Sequence, residues 1–158
     1  HLAAKTNAAQ SAKFKKEFFS NNFQSTKNVV NYCINNNTKL IFASTTSVYG
    51  PQKNTVDENC GIKDLNPQSP YAKVKLKEEN YIKNQLSKIR NSFLILRLGT
   101  VYGYSQGMRF HTAVNKFCLQ AALGKPLTIW KTAYNQVRPY LGLDDLNRTL
   151  QYICISCW

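Results

Sequence analysis

The feature that most constrains this chain is a change of period along it. Two short runs, Lys39-Leu40-Ile41-Phe42-Ala43 and Ser92-Phe93-Leu94-Ile95-Leu96-Arg97-Leu98, are apolar almost throughout. Apolar runs of that length predict strands buried on both faces. The stretches around them repeat differently. From about Lys13 to Asn37, Phe14, Phe18, Phe19, Val29, Val30 and Ile34 recur at helical spacing. Asn35-Asn36-Asn37 should end that helix, because Asn tolerates the left-handed backbone of a helix end. Tyr71 to Arg90 reads as a second helix, with Ser69 as its N-cap and Pro70 in the first helical position. A third runs from about Phe110 to Leu123, closed by Gly124 with Pro126 beyond. Leu127-Thr128-Ile129-Trp130 reads as a short extended piece. Asp144 opens a last helix, with its charge at the positive end.

Strands alternating with helices predict βα units and a parallel sheet. Ligands of such sheets sit beyond the carboxyl ends of the strands. Both strands run into polar loops, Ser44-Thr45-Thr46-Ser47 after the first and Gly99-Thr100, with Gly103, after the second. Thr45 to Pro70 reads as one long loop, and a loop of that length within a domain is usually functional. No internal repeat or low-complexity linker interrupts the pattern.

Composition narrows the function classes. The chain has 158 residues, enough for one domain or a piece of a larger one. Its formal charge is +13. The lysines are scattered (Lys13, Lys27, Lys53, Lys73 and Lys88 among them), and no basic run alternates with stacking aromatics as single-strand binding requires. Nucleic acid is therefore not the expected partner, while an anionic small molecule suits the charge. Five cysteines at irregular spacing argue against a disulfide framework. Cys154 and Cys157 form a lone C-x-x-C that reads as chain-end apolar residues, so no metal is expected. No run approaches the ~20 apolar residues of a membrane helix. His1-Leu2-Ala3-Ala4-Lys5 lacks the order of a signal peptide. A reducing cytoplasm is the expected location. The chain lacks an initiator Met and starts in mid-pattern, so sequence upstream of His1 is expected.

Chemistry concentrates on the second helix. Tyr71 and Lys75 lie four residues apart and share one face. A free phenol titrates near ~10, too high for a base at neutral pH. A neighbouring ammonium stabilises the phenolate and lowers that value, so the pair can exchange a proton with a hydroxyl. By itself such a pair is commonly just an exposed amphipathic couple. The hydroxyl cluster Ser44 to Ser47 at the first strand's end either orients a reacting oxygen towards Tyr71 or forms a turn that satisfies its own backbone.

Taken in order, these motifs resemble the extended short-chain dehydrogenase/reductase family, in particular its NAD-dependent sugar-nucleotide epimerases and dehydratases. That family shows a strand and Ser-Ser/Thr-x-x-Val-Tyr-Gly, then Pro-x-Ser-Pro-Tyr-x-x-x-Lys on a helix, then a strand with Arg-x-x-x-Val-Tyr-Gly. This chain has Ser44 to Gly50, Pro67 to Lys75, and Arg97 to Gly103. His1-Leu2-Ala3-Ala4 is similar to a His-x-Ala-Ala segment beside the cofactor, and Asn21 to an Asn early in the following helix. Arg138-Pro139-Tyr140-Leu141 to Asp144-Asp145 is similar to a segment near the substrate diphosphate.

The resemblance implies a partial Rossmann-like, doubly wound parallel α/β sheet with part of a smaller substrate-binding lobe. Residues 1–125 would be the later portion of the NAD-binding domain, and 126–158 part of the substrate region. It implies Tyr71 as general acid/base, Thr45 as its hydroxyl partner, and Lys75 holding the nicotinamide ribose and lowering the Tyr71 pKa. Ala3, Ala4, Asn21, Ser44 and Gly99 would line the NAD site with them. Thr45, Thr100, Arg109 and Arg138 would meet a nucleotide-diphosphate sugar, Arg138 clamping the diphosphate with its planar fork. A homodimer paired through the two long helices is implied as well.

The chain departs from that pattern in three places. The Gly-x-x-Gly-x-x-Gly phosphate loop and the residue that tells NAD from NADP are not in it, which leaves NADP open. Lys131 to Asn135 replaces the usual Gly-Asp-Gly. These residues alone are accordingly expected to bind NAD weakly or not at all and to be inactive. The implied reaction is epimerisation through transient oxidation to a keto sugar. Dehydration is the alternative, but the family's dehydratases carry Asp-Glu directly after the Thr, where this chain has Thr46 and Ser47. A reductase, a non-catalytic Rossmann-like binding protein and a basic RNA-binding module are the other readings. The last would show steeply salt-dependent affinity.

Overall fold

Most of the periods read from the sequence become elements, with small shifts of boundary, in the computed structural model, which describes residues 1–7, 11–52, 55–89, 92–131 and 134–156. Lys53, the Arg90 end of the second helix, Thr132-Ala133 and Cys157 of the C-x-x-C lie outside the described residues. The chain divides into two compact units, His1–Leu98 and Gly99–Trp158.

In the first unit, helix α1 spans Lys15–Asn35 and buries Phe18, Asn22, Thr26, Val30 and Cys33. Their spacing of three and four draws one stripe down the helix. Asn36 caps the end, its side chain donating to Tyr32 O at 2.9 Å. Asn37 then takes the left-handed conformation, with φ 46°, as a short polar side chain permits. Strand β1 (Leu40–Thr45) follows and buries Leu40, Phe42 and Ser44 on one face. It pairs in parallel with β2 (Phe93–Leu98), in register from Leu40 opposite Phe93 to Thr45 opposite Leu98. On the other edge of β1, His1 N donates to Ile41 O at 2.6 Å and Ala43 N to His1 O at 3.4 Å. Those two bonds flanking one residue are the pattern of a parallel ladder.

Helix α2 spans Pro70–Leu86. The Ser69 hydroxyl accepts from Ala72 N at 3.1 Å and Pro70 opens the first turn, as the sequence predicts. A 3-10 turn, Ser87–Ile89, follows it. Val30 and Cys33 of α1, Leu40 and Phe42 of β1, and Ile82 and Leu86 of α2 form one core cluster. Full burial of Phe42 alone contributes roughly 1.5–3 kcal/mol.

The stretch from Thr45 to Pro70 is more ordered than the sequence suggests. It contains 3-10 turns at Thr46–Val48 and Ile62–Asp64. Asn66 N donates to Tyr49 O at 3.2 Å, drawing the ends of the intervening loop together. Gly50 lies at φ +66° where a Cβ would come within 1.9 Å of Asn66 O, so glycine is required there.

The second unit pairs β3 (Thr100–Tyr102) in parallel with β4 (Tyr140–Gly142) and carries α3 (Ala113–Ala122) and α4 (Leu143–Ser156). Gly124 closes α3 at φ +62°. Here the sequence reading is corrected: the segment after Gly99, read as a loop, forms a strand, and its partner is Tyr140–Gly142. The cause lies at Gly99, where a Cβ would sit 2.7 Å from Pro139 O. Without one, Pro139 comes close enough for its carbonyl to accept from Thr100 N at 3.0 Å. Leu127–Trp130 is tied to α3 by side chains instead, with Lys116 donating to Thr128 O at 3.0 Å. The functional boundary expected at 125/126 concerns what each part binds, and it remains a proposal beside the contact boundary at Leu98/Gly99. No described helix is long and apolar enough to cross a membrane.

Candidate active site

The carboxyl end of β1 and the face of α2 packed on it hold the first unit's chemistry. α2 packs against both β1 and the Thr46–Val48 turn. Thr45, buried at the strand end, accepts from Ser47 N at 3.2 Å through its hydroxyl oxygen. The local turn read from the hydroxyl cluster is therefore present, with Thr45 as its cap. Tyr71, in the first turn of α2, is half-buried, and its backbone nitrogen donates to Ser11 Oγ at 3.3 Å.

Lys75, one turn further on, is 3% exposed. Its ammonium donates to Ala43 O at 2.9 Å, lies 3.5 Å from Glu78 Oε2, and stands over the Phe42 ring at 4.4 Å from the centroid. Burial pulls the Lys75 pKa below the ordinary lysine range, and the carboxylates of Glu78 and Glu79 oppose that. Glu78 is fully buried; its Oε1 accepts from Thr26 Oγ1 at 2.6 Å. Burial pushes its carboxyl up, against Lys75 and the Thr26 hydrogen bond.

Glu79, also fully buried, forms a second centre. It accepts from Arg97 Nε at 3.1 Å and Nη2 at 2.7 Å, and from the Ser44 hydroxyl. Arg97 lies over the Tyr49 ring at 4.9 Å. Its hydrogen bonds to Glu79, above all, hold its pKa above the usual guanidinium value. The hydroxyl of Ser44, expected at the NAD site, is thus turned to Glu79.

The remaining expected residues fall as follows. Ala3 is exposed and Ala4 half-buried. The next residue, Lys5, is clamped through its backbone by Asn22, which accepts from Lys5 N at 2.8 Å and donates to Lys5 O at 3.0 Å. Asn21 only supports that clamp, donating to Asn22 Oδ1 at 3.1 Å. Asn22 is the buried member of the pair, and the repeated Asn-Asn gave no sign of which it would be. In the second unit, Gly99 has the packing reason already given, and Thr100 is a strand residue. The carbonyl of Arg109 accepts from Asn115 Nδ2 at 3.2 Å and from Thr112 Oγ1 at 3.0 Å. Arg138 turns its fork onto Gln136 Oε1, at 3.0 and 2.6 Å. Glu78, Glu79 and Thr26 escaped the sequence reading. A signal existed in the α2 stripe, since Glu78, Glu79 and Ile82 follow Lys75 at three, four and seven residues.

Parallel strands alternating with helices, and a hydroxyl-bearing strand end facing a helix with Tyr71 and a buried ammonium one turn apart, define a Rossmann-like α/β fold of the dinucleotide-binding kind. The chain belongs to the NAD dependent epimerase/dehydratase family, whose model matches residues 1–154. It is 29% identical over 136 residues to ADP-L-glycero-D-manno-heptose-6-epimerase of Brachyspira hyodysenteriae, covering 83% of this chain and 42% of that protein. It is 33% identical over 131 residues to an uncharacterized UDP-glucose epimerase, YtcB, of Bacillus subtilis, covering 81% and 39%. The UDP-glucuronic acid 4-epimerase of Bacillus cereus, solved in complex with UDP-glucuronic acid and NAD, superposes with a TM-score of 0.84 at 30% identity, over 99% of this chain and 48% of that one. The chain thus spans about half or less of the length of each of these relatives.

Proposed function

We propose that this chain carries the acid–base half of an NAD-dependent epimerase acting on a nucleotide-diphosphate sugar. The observation that carries the reading is Lys75: an ammonium buried against the end of a parallel strand, one helical turn from a half-buried tyrosine. Burying such a charge is costly, and it persists here with a carbonyl, a carboxylate and an aromatic face around it.

The donor set fits the nicotinamide-ribose end of NAD, a diol beside a ring, through Lys75, Tyr71 and Thr45. NAD, when bound, supplies hydride acceptance and return. The chain's own residues would supply the proton chemistry. Tyr71 takes the proton from the sugar hydroxyl and returns it, with Lys75 stabilising the phenolate. Thr45 orients the reacting oxygen. Ala4 and the clamp of Asn22 on Lys5 would shape the neighbouring wall, and Arg138, released from Gln136, would meet the diphosphate, with Arg109 and Thr100 on the substrate side. Residues 126–158 would then belong to the substrate-binding part. A homodimer through α1 and α2 is part of the proposal.

Epimerisation is preferred to dehydration because Thr46–Val48, directly after Thr45, carries no carboxylate that could assist loss of water. The test is Tyr71→Phe in the full-length protein, assayed with UDP-glucuronic acid and UDP-glucose. Turnover should fall about 10²–10⁴-fold while calorimetry shows NAD binding retained. Full activity in that variant would sink the reading and favour a binding protein without catalysis.

A further inference from the structure

The acid–base reading leaves unused a buried titratable group that touches the lysine on which the reading rests. Glu78 is fully buried, and its two oxygens have different partners. Oε1 accepts from the Thr26 hydroxyl at 2.6 Å, while Oε2 makes no hydrogen bond and lies 3.5 Å from Lys75 Nζ. Thr26 is held in turn by the His1 ring, whose Nε2 is 3.2 Å from Thr26 Oγ1. A relay of three side chains, one each from the β1 edge, α1 and α2, thus ends on the Lys75 ammonium.

The other groups around Lys75 do not replace Glu78. From its own helix, Glu79 is committed to Arg97 of β2 and to Ser44. From β1 come the Ala43 carbonyl and the Phe42 ring, both without charge. From α1 comes Thr26, whose uncharged hydroxyl is already given to Glu78. Glu78 is therefore the carboxylate in a position to balance the ammonium.

We propose that Glu78 is a positioning residue: it is the counter-ion that keeps Lys75 charged and aimed along α2, and Thr26 fixes its carboxylate for that task. The inference rests on the acid–base reading for its link to Tyr71. Its electrostatic consequence has a definite sign. Burial lowers the Lys75 pKa and Glu78 raises it. Without the Glu78 carboxylate, burial is opposed only by Glu79, which Arg97 already neutralises, so Lys75 loses its proton at lower pH. The phenolate of Tyr71 then loses its neighbour's charge earlier as pH rises, and the alkaline limb of the kcat profile moves down.

The experiment compares the full-length protein with Glu78→Gln, Glu78→Asp and Tyr71→Phe. Two quantities are followed: the titration midpoint of Lys75, by NMR of isotope-labelled lysine side chains without cofactor, and the pH profile of kcat with UDP-glucuronic acid and NAD. Glu78→Gln should lower both the midpoint and the alkaline limb by about one pH unit or more. Glu78→Asp, which keeps the charge, should bring both back towards the parent. An unmoved midpoint in a folded Glu78→Gln protein overturns the inference, even if stability or kcat falls, because a merely structural glutamate predicts that result. If Tyr71→Phe is also inactive, the acid–base reading survives that failure; if Tyr71→Phe keeps full activity, both fall together. Should Glu78→Gln not fold, Thr26→Val carries the test. It removes the hydroxyl that fixes the carboxylate, and a smaller shift in the same direction supports the inference while none overturns it.

Discussion

The two compact units place their polar and apolar side chains in opposite ways. In His1–Leu98 the described interior holds Lys75, Glu78 and Glu79 among apolar residues such as Phe42 and Ile82, each charge met by a partner. In Gly99–Trp158 the buried side chains among the described residues are Asn115 and Ile153, while Tyr104, Trp130, Tyr134, Val137 and Ile155 stand exposed. Arg138 meets an amide there, not a carboxylate. The first unit thus carries an organised interior in which charges have fixed addresses. The second carries short strands and surface side chains that can be redirected.

Three substitutions would break or sharpen that contrast, read by urea unfolding of the full-length protein. Glu79→Ala should be the most damaging, by about 3–5 kcal/mol, since it leaves the half-buried Arg97 guanidinium and the buried Ser44 hydroxyl without their shared carboxylate. A loss below ~1 kcal/mol would show that the paired charges do not organise the first unit. Ser69→Ala removes the cap of α2 and should cost about 1 kcal/mol, with Ser69→Thr largely retaining stability. Arg138→Ala should leave the unfolding midpoint unchanged, because its partner is an exposed neighbour two residues away. Its expected effect is instead a raised KM for the nucleotide sugar at little change in kcat. A marked loss of stability there would erase the distinction between the units.

What could be read from the sequence was local. The Ser69 cap, Pro70 in the first turn and the Asn37 exit of α1 each depend on a residue and its near neighbours, and each stands where expected. The parallel pairing of β1 and β2 followed from the alternation of periods. Strand β3 escaped because three residues are too few to show a period, and because its partner lies 40 residues on. The acids of α2 escaped for a related reason. A glutamate in a helix is ordinarily solvated, and what makes Glu78 interior is a threonine 52 positions away. The buried place of Asn22 was not legible either, since a repeated letter cannot tell which side faces inward.

Glu79 has one more consequence. The two side chains it grips, Ser44 and Arg97, are direct partners across the strand pair. A slip of β2 by one residue would turn Arg97 to the opposite face of the sheet. The carboxylate would then be stranded without its cation, a penalty that apolar residues such as Leu94 and Ile95, interchangeable by size and oiliness, cannot impose. In this chain a single buried acid acts as a checkpoint on alignment, rejecting the sheet that is merely greasy enough in favour of the one with its strands in step.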